Sequence, residues 1–108
     1  MRKKLAALLL TAMIAEKEMT VWAAPIDVPE DVRQISIELG ELYGICPEVI
    51  QATCFKESSF DPLAENGSHI GIMQVNPVWH ADRMARLGVT DLYDTRRCML
   101  VGVDYLHE

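Results

Sequence analysis

The sequence predicts a small, mainly α-helical domain, and three observations carry that expectation. Apolar residues recur at helical spacing in separate stretches. Glycines, prolines and capping residues fall where those stretches begin and end, and strand-like alternation is nearly absent. With 108 residues the chain has room for one small domain, and its 50% hydrophobic content is enough to compose a core. No internal repeat interrupts it.

The elements follow in order. From Asp31 to Tyr43, Val32, Ile35, Leu39, Leu42 and Tyr43 recur at helical spacing, and Gly44 stops the helix. Cys46-Pro47 restarts the chain, because proline suits the first helical position, and a second helix is expected to about Ser58. Ser59 to His69 reads as loop, with turn signals at Asp61-Pro62 and Asn66-Gly67. Ile70 to Val75 reads as short and extended. Asn76-Pro77, a cap followed by a first-turn proline, opens a third helix that Gly88 ends. Asp94 or Thr95 caps a fourth, with Cys98, Met99, Gly102, Tyr105 and Leu106 on one face. That stripe meets no stop signal, so the folding unit is expected to be incomplete at its C-terminal end. Its uncovered side would then make the chain marginally stable and prone to self-association.

Residues 1–23 read as a secretory signal. Met1 to Lys4 supplies positive charge, and Leu5 to Ala15 is an apolar run too short to span a bilayer comfortably. Val21 and Ala23 place cleavage after Ala23, with an uncleaved amino-terminal anchor as the alternative. The expected organisation is a signal at 1–23, a lead at 24–30 and a domain at 31–108, outside the cytoplasmic membrane in the cell envelope or beyond it. Counted from Ala24, six Lys or Arg stand against fourteen Asp or Glu, a balance of −8. A nucleic-acid partner needs a basic surface to displace phosphate counterions, and this charge excludes that class.

Three cysteines remain in the mature stretch. Cys46 and Cys54 lie eight residues apart on one expected helix, about 12 Å by helical rise, too far to bridge. A pair with Cys98, or three small buried apolar groups, both stay open. His69, His80 and His107 lack helical zinc spacing and read as solvated or structural, so no metal or other cofactor is expected. For Trp79 core packing is expected, with stacking on a sugar ring as the alternative.

One residue stands out chemically. Val49, Ile50, Thr53 and Cys54 form a stripe on the second helix, and its next member is Glu57. A carboxyl at the end of an apolar face has its charged form disfavoured, which suits a general acid; a solvated last-turn glutamate is the plain alternative. Two hydroxyls and an apolar anchor follow at Ser58, Ser59 and Phe60. Gly71-Ile72-Met73-Gln74-Val75-Asn76-Pro77 then offers a glycine for close backbone approach, an unbranched Met and two amides able to bond sugar hydroxyls and N-acetyl groups.

This ordered set resembles the soluble lytic transglycosylase domain, which shares the lysozyme-like fold of goose-type lysozymes. Glu57-Ser58-Ser59-Phe60, Ala64, Gly71 to Val75 and Pro77 carry the resemblance. It continues through Asp94 and Gly102-Val103-Asp104-Tyr105-Leu106, and so covers about residues 42 to 108. The resemblance implies that Glu57 is the single acid/base, that Ser58 steadies it, and that Met73 and Gln74, with Asn76 beside them, line a sugar cleft. It implies peptidoglycan glycan strands as substrate, cut between N-acetylmuramic acid and N-acetylglucosamine with closure of a 1,6-anhydro ring. Hydrolysis by water, as in a muramidase, and a fragment that only binds glycan are the alternatives. Two departures stand out. Cys98 occupies a position where the family usually has Asn, and the family's later Ala-Tyr-Asn-type segment has no counterpart here.

Overall fold

The structure, a computed structural model, describes residues 26–108. The signal and cleavage point read at 1–23, and residues 24 and 25 of the lead, lie outside the described residues. Among those described, no helix is long and apolar enough to cross a membrane. The element order is α1 (Glu30–Tyr43), α2 (Pro47–Ser58), β1 (Glu65–Asn66), β2 (His69–Ile70), α3 (Ala81–Leu87) and α4 (Thr95–His107). Helix α1 packs on α2 and α4, and α3 packs on α4.

Each helix starts and stops for a local reason. Glu30 and Asp31 place negative charge in the first turn of α1, where the helix dipole favours it. Val32, Ile35 and Leu39 are buried at i, i+3 and i+7, and Gly44 ends the helix in the left-handed conformation with φ 69°. Leu42, expected on the same stripe, is exposed; beyond Leu39 the packed side passes to Gly40 and Tyr43. Pro47 opens α2, which buries only Ile50 and Cys54, while Val49 is half exposed. Ser59 and Phe60 then both take positive φ, 52° and 66°, and turn the chain sharply off the end of α2. Asp94 caps α4 by accepting from the Arg97 N–H at 2.9 Å.

Two segments differ from expectation. Asn66-Gly67 is a hairpin turn: Glu65 pairs with Ile70 and Asn66 with His69, antiparallel. Ile70 to Val75 is not a strand but a tight turn, closed by reciprocal backbone bonds between Ile70 and Val75 at 3.0 and 2.9 Å. Gly71 makes this turn possible. Its φ is 83°, and a Cβ there would lie 2.2 Å from the Leu92 carbonyl oxygen and 2.8 Å from the Cys98 sulfur. The third helix also begins later than its cap. Asn76 accepts from the Val78 and Trp79 N–H groups as expected, but residues 77–80 are turns and α3 starts at Ala81.

Helix α4 closes the core. Cys98, Met99, Val101 and Val103 are wholly buried, and Gly102 lets the Met73 side chain cross the helix, since a Cβ there would meet its sulfur at 2.6 Å. The expected uncovered stripe is therefore absent over most of its length: only Tyr105 and Leu106 are exposed. Cys54 and Cys98 are buried and Cys46 is exposed; all three are free thiols, which excludes both a Cys98 pairing and three buried groups in this structure. Burial, with Cys98 nearby, pushes the Cys54 thiol up to about 12.

A polar clamp joins α1, α3 and α4. Asp104 accepts from Tyr43 Oη at 2.8 Å and from Arg86 at 2.5 Å, with Arg83 Nε at 3.4 Å; Arg83 also meets Glu108 at 2.5 Å. Arg86 beside Asp104 holds its carboxyl below the ordinary value of 3.8, against the opposing effect of burial.

Two outcomes follow. Gly71→Ala puts a Cβ at both a forbidden φ and an occupied position, and should cost about 3 kcal/mol, lowering the melting temperature by more than ~10 °C. Asp104→Asn should cost about 1–2 kcal/mol at neutral pH, since only part of the clamp is screened from water. The sign of its pH dependence is set by the lowered carboxyl: the Asp104 contribution is present above 3.8 and is lost as pH falls through the still lower folded value. Denaturant midpoints across the acid range should therefore fall more steeply for the parent than for Asp104→Asn.

Candidate functional site

A cleft of about 300 Å³ opens between the end of α2, the Ile70–Val75 turn and the end of α4. Thr53 and Glu57 line it from α2, Met73 to Asn76 from the turn, and Gly102, Tyr105 and Leu106 from α4. His69, Trp79 and His80 complete the rim.

Glu57 is exposed, not set against apolar surface. The buried face of α2 stops at Cys54; one turn further on, the helix overhangs the cleft instead of the core. Thr53 and Glu57 sit four residues apart on the side that faces the cleft. Among the described residues Glu57 is the one carboxylate lining it. Asp61, the nearest acidic residue in sequence, accepts from the Leu63 N–H at 2.9 Å within its own turn and does not line the cleft.

The structure brings the other sequence-selected residues together and assigns their polar atoms. The Ser58 hydroxyl, on the residue after Glu57, lies 2.7 Å from the Ile72 carbonyl and 3.2 Å from the Cys54 carbonyl. Its one hydrogen is thus directed to backbone, and it ties the end of α2 to the turn. Gln74, with φ 51°, is 8% exposed. Its amide nitrogen donates to the Ala64 and Gly71 carbonyls at 3.1 and 2.9 Å, and its oxygen accepts from Asn66 at 2.9 Å. One hydrogen of that amide is used within the turn, at Gly71, and the other at Ala64, ahead of the hairpin. The Asn76 oxygen is likewise occupied by the Val78 and Trp79 N–H groups. Met73 is buried against Gly102 and gives the cleft an apolar floor.

Residues that the sequence reading placed elsewhere form the rest of the cleft. Trp79, expected in the core, is 76% exposed. It meets His69 edge-on, ring centroids 5.9 Å apart, while His80 meets Tyr105 at 4.7 Å. Burial, helped by the Arg83 cation, pushes the His80 imidazole below 6.5, with Glu108 opposing. No group of three His, Cys, Asp or Glu among the described residues is placed to hold a metal ion. Chemically, the arrangement offers one carboxylate able to give and take a proton, an apolar floor and two aromatic walls.

Comparison with known proteins adds the following. The profile of the family described as "Transglycosylase SLT domain" matches residues 34–108. A curated protein of Nitrosospira multiformis, "Membrane-bound lytic murein transglycosylase F", is 38% identical to this chain over 76 residues. The match takes in 69% of the chain but 15% of that relative, so the chain spans a small part of its length.

Proposed function

The chain belongs to the transglycosylase SLT domain family, with its lysozyme-like fold, and from that premise we propose that it cleaves the glycan strands of peptidoglycan. The bond cut is the β-1,4 link between N-acetylmuramic acid and N-acetylglucosamine, in the cell envelope. The observation that carries the reading is a cleft lined by one carboxylate, the exposed Glu57, and by the Met73 side chain.

Glycosidases of the usual kind place two carboxylates across the scissile bond. With one, the substrate must supply the second group. Glu57, protonated, gives its proton to the glycosidic oxygen as the bond from C1 breaks. The neighbouring N-acetyl oxygen stabilises the positive charge developing at C1. The ionised Glu57 then takes the proton of the sugar's own 6-hydroxyl as that oxygen bonds to C1. The product is a 1,6-anhydro end, no water is consumed, and Glu57 returns to its starting state. Ser58 supports this by anchoring the end of α2 through Ile72, and Met73 supports it by excluding water from the floor. Gln74 and Asn76, proposed from sequence as sugar ligands, act here through the shape of the turn, since most of their polar atoms are already bonded.

Glu57→Gln keeps size and helix propensity but cannot cycle a proton. It should lower glycan cleavage by at least ~100-fold with unchanged helix content by circular dichroism. Mass spectrometry of peptidoglycan digested by the parent should show anhydro-muramyl ends, one water lighter than hydrolysed ends. Reducing ends instead would make water the nucleophile and the chain a muramidase. Binding of glycan without cleavage by the parent would reduce it to a binding fragment.

A further inference from the structure

Two exposed aromatic side chains line the cleft. Trp79 is 76% exposed and Tyr105 54%. Each is braced by an imidazole from another part of the fold. His69, from β2, stands perpendicular to Trp79, at an interplanar angle of 90°. His80 meets Tyr105 at 61°. Trp79 and His80 are neighbours in sequence, and their partners lie on different elements, His69 on the hairpin and Tyr105 on α4. Tyr105 is also backed by the Arg83 guanidinium, 5.2 Å from its ring centre. Arg83 lines a separate groove behind α4, not the cleft, and is itself held by Asp104 and Glu108. The ring is therefore backed by a cation while the residue remains 54% exposed.

A large exposed aromatic held in one orientation suits a flat apolar ligand that also has polar edges. A pyranose ring with equatorial substituents is such a ligand: its axial C–H bonds make an apolar face, and C–H hydrogens meet the negative face of an aromatic ring favourably. We propose that Trp79 and Tyr105 are two stacking platforms that hold two rings of one β-1,4-linked N-acetyl sugar strand. The hairpin-side ring lies on Trp79 and the α4-side ring on Tyr105, with His69 and His80 fixing the platforms. The inference rests on the glycan reading above, and it assigns the work of strand recognition to residues other than the turn amides.

The test measures binding rather than turnover, in the Glu57→Gln chain so that the ligand stays intact. Calorimetric or NMR titrations compare N-acetylglucosamine with its β-1,4-linked tetramer. Trp79→Ala and Tyr105→Ala should each weaken tetramer binding by at least about fivefold, and Trp79→Phe and Tyr105→Phe should recover most of the loss. The gain in affinity from monomer to tetramer should shrink in either Ala variant, a length dependence that a purely structural role would not produce. Both side chains are exposed, so the melting temperatures should change little. Tetramer affinities within about twofold of the parent in both Ala variants would overturn the platforms and leave the proposed function standing. A parent that binds neither the tetramer nor isolated peptidoglycan would remove the proposed function and the platforms with it.

Discussion

The turn from Ile70 to Val75 is tied at once to the hairpin, α2 and α4, and the cleft takes its shape from those contacts. Gln74 sits at φ 51°, a conformation that costs a non-glycine residue of order 1–3 kcal/mol. Its side-chain amide offsets that cost with three hydrogen bonds, to Ala64, Gly71 and Asn66. Gly71 lets the turn press against the Leu92 carbonyl and Cys98, while Gly102 receives Met73. Ser58 binds the turn to the end of α2 through Ile72. Helix α2, the hairpin and α4 are thus referenced to one six-residue segment, and Glu57 is placed over the cleft by the same contacts.

This arrangement separates framework from recognition. Of the two amides that look suited to sugars in the sequence, Gln74 is taken up by bonds to Ala64, Gly71 and Asn66, and the Asn76 oxygen caps the next turn. The Glu57 carboxylate, the Asn76 amide nitrogen and the exposed rings are the cleft-lining groups not engaged in these bonds. A buried polar group without a partner costs more than a paired one returns, so in a loop this tightly folded the polar side chains are drawn into its own backbone. The Asp104 clamp extends the same economy to α4: Arg83, fixed by two carboxylates, backs Tyr105 from outside the cleft.

Local signals in the sequence proved legible where the physics is local. Gly44, Pro47, Gly88 and Asp94 mark helix ends because caps and left-handed turns depend on a few neighbouring residues. Gly71 was readable as a point of close approach, and Glu57 with Met73, Gln74 and Asn76 do converge on one cleft. What spacing could not reveal depends on the tertiary fold. Leu42 and Val49 fit helical stripes but find no partner surface. Glu57 fits the end of an apolar face, yet that face leaves the core after Cys54. Trp79 reads as core because it follows Pro77 at an expected helix start, with stacking on a sugar ring as the alternative; residues 77–80 are turns instead, and Trp79 is exposed. The reversal at Gln74 is held by side-chain bonds to Ala64 and Asn66, ten and eight residues away, which helical or strand periodicity does not encode.

The rigidity of that turn is the claim on which the placement of Glu57 and of both cleft walls rests, and native-state hydrogen exchange measures it directly. The Gly71 and Val75 amides, bonded to the Ala64 and Ile70 carbonyls at 2.8 and 2.9 Å, should exchange only through global unfolding. Their opening free energies should match those of buried α4 amides such as Val101 and Val103, and should fall with them as denaturant is added. Exchange of Gly71 and Val75 through low-energy local openings, while α4 remains protected, would contradict the account.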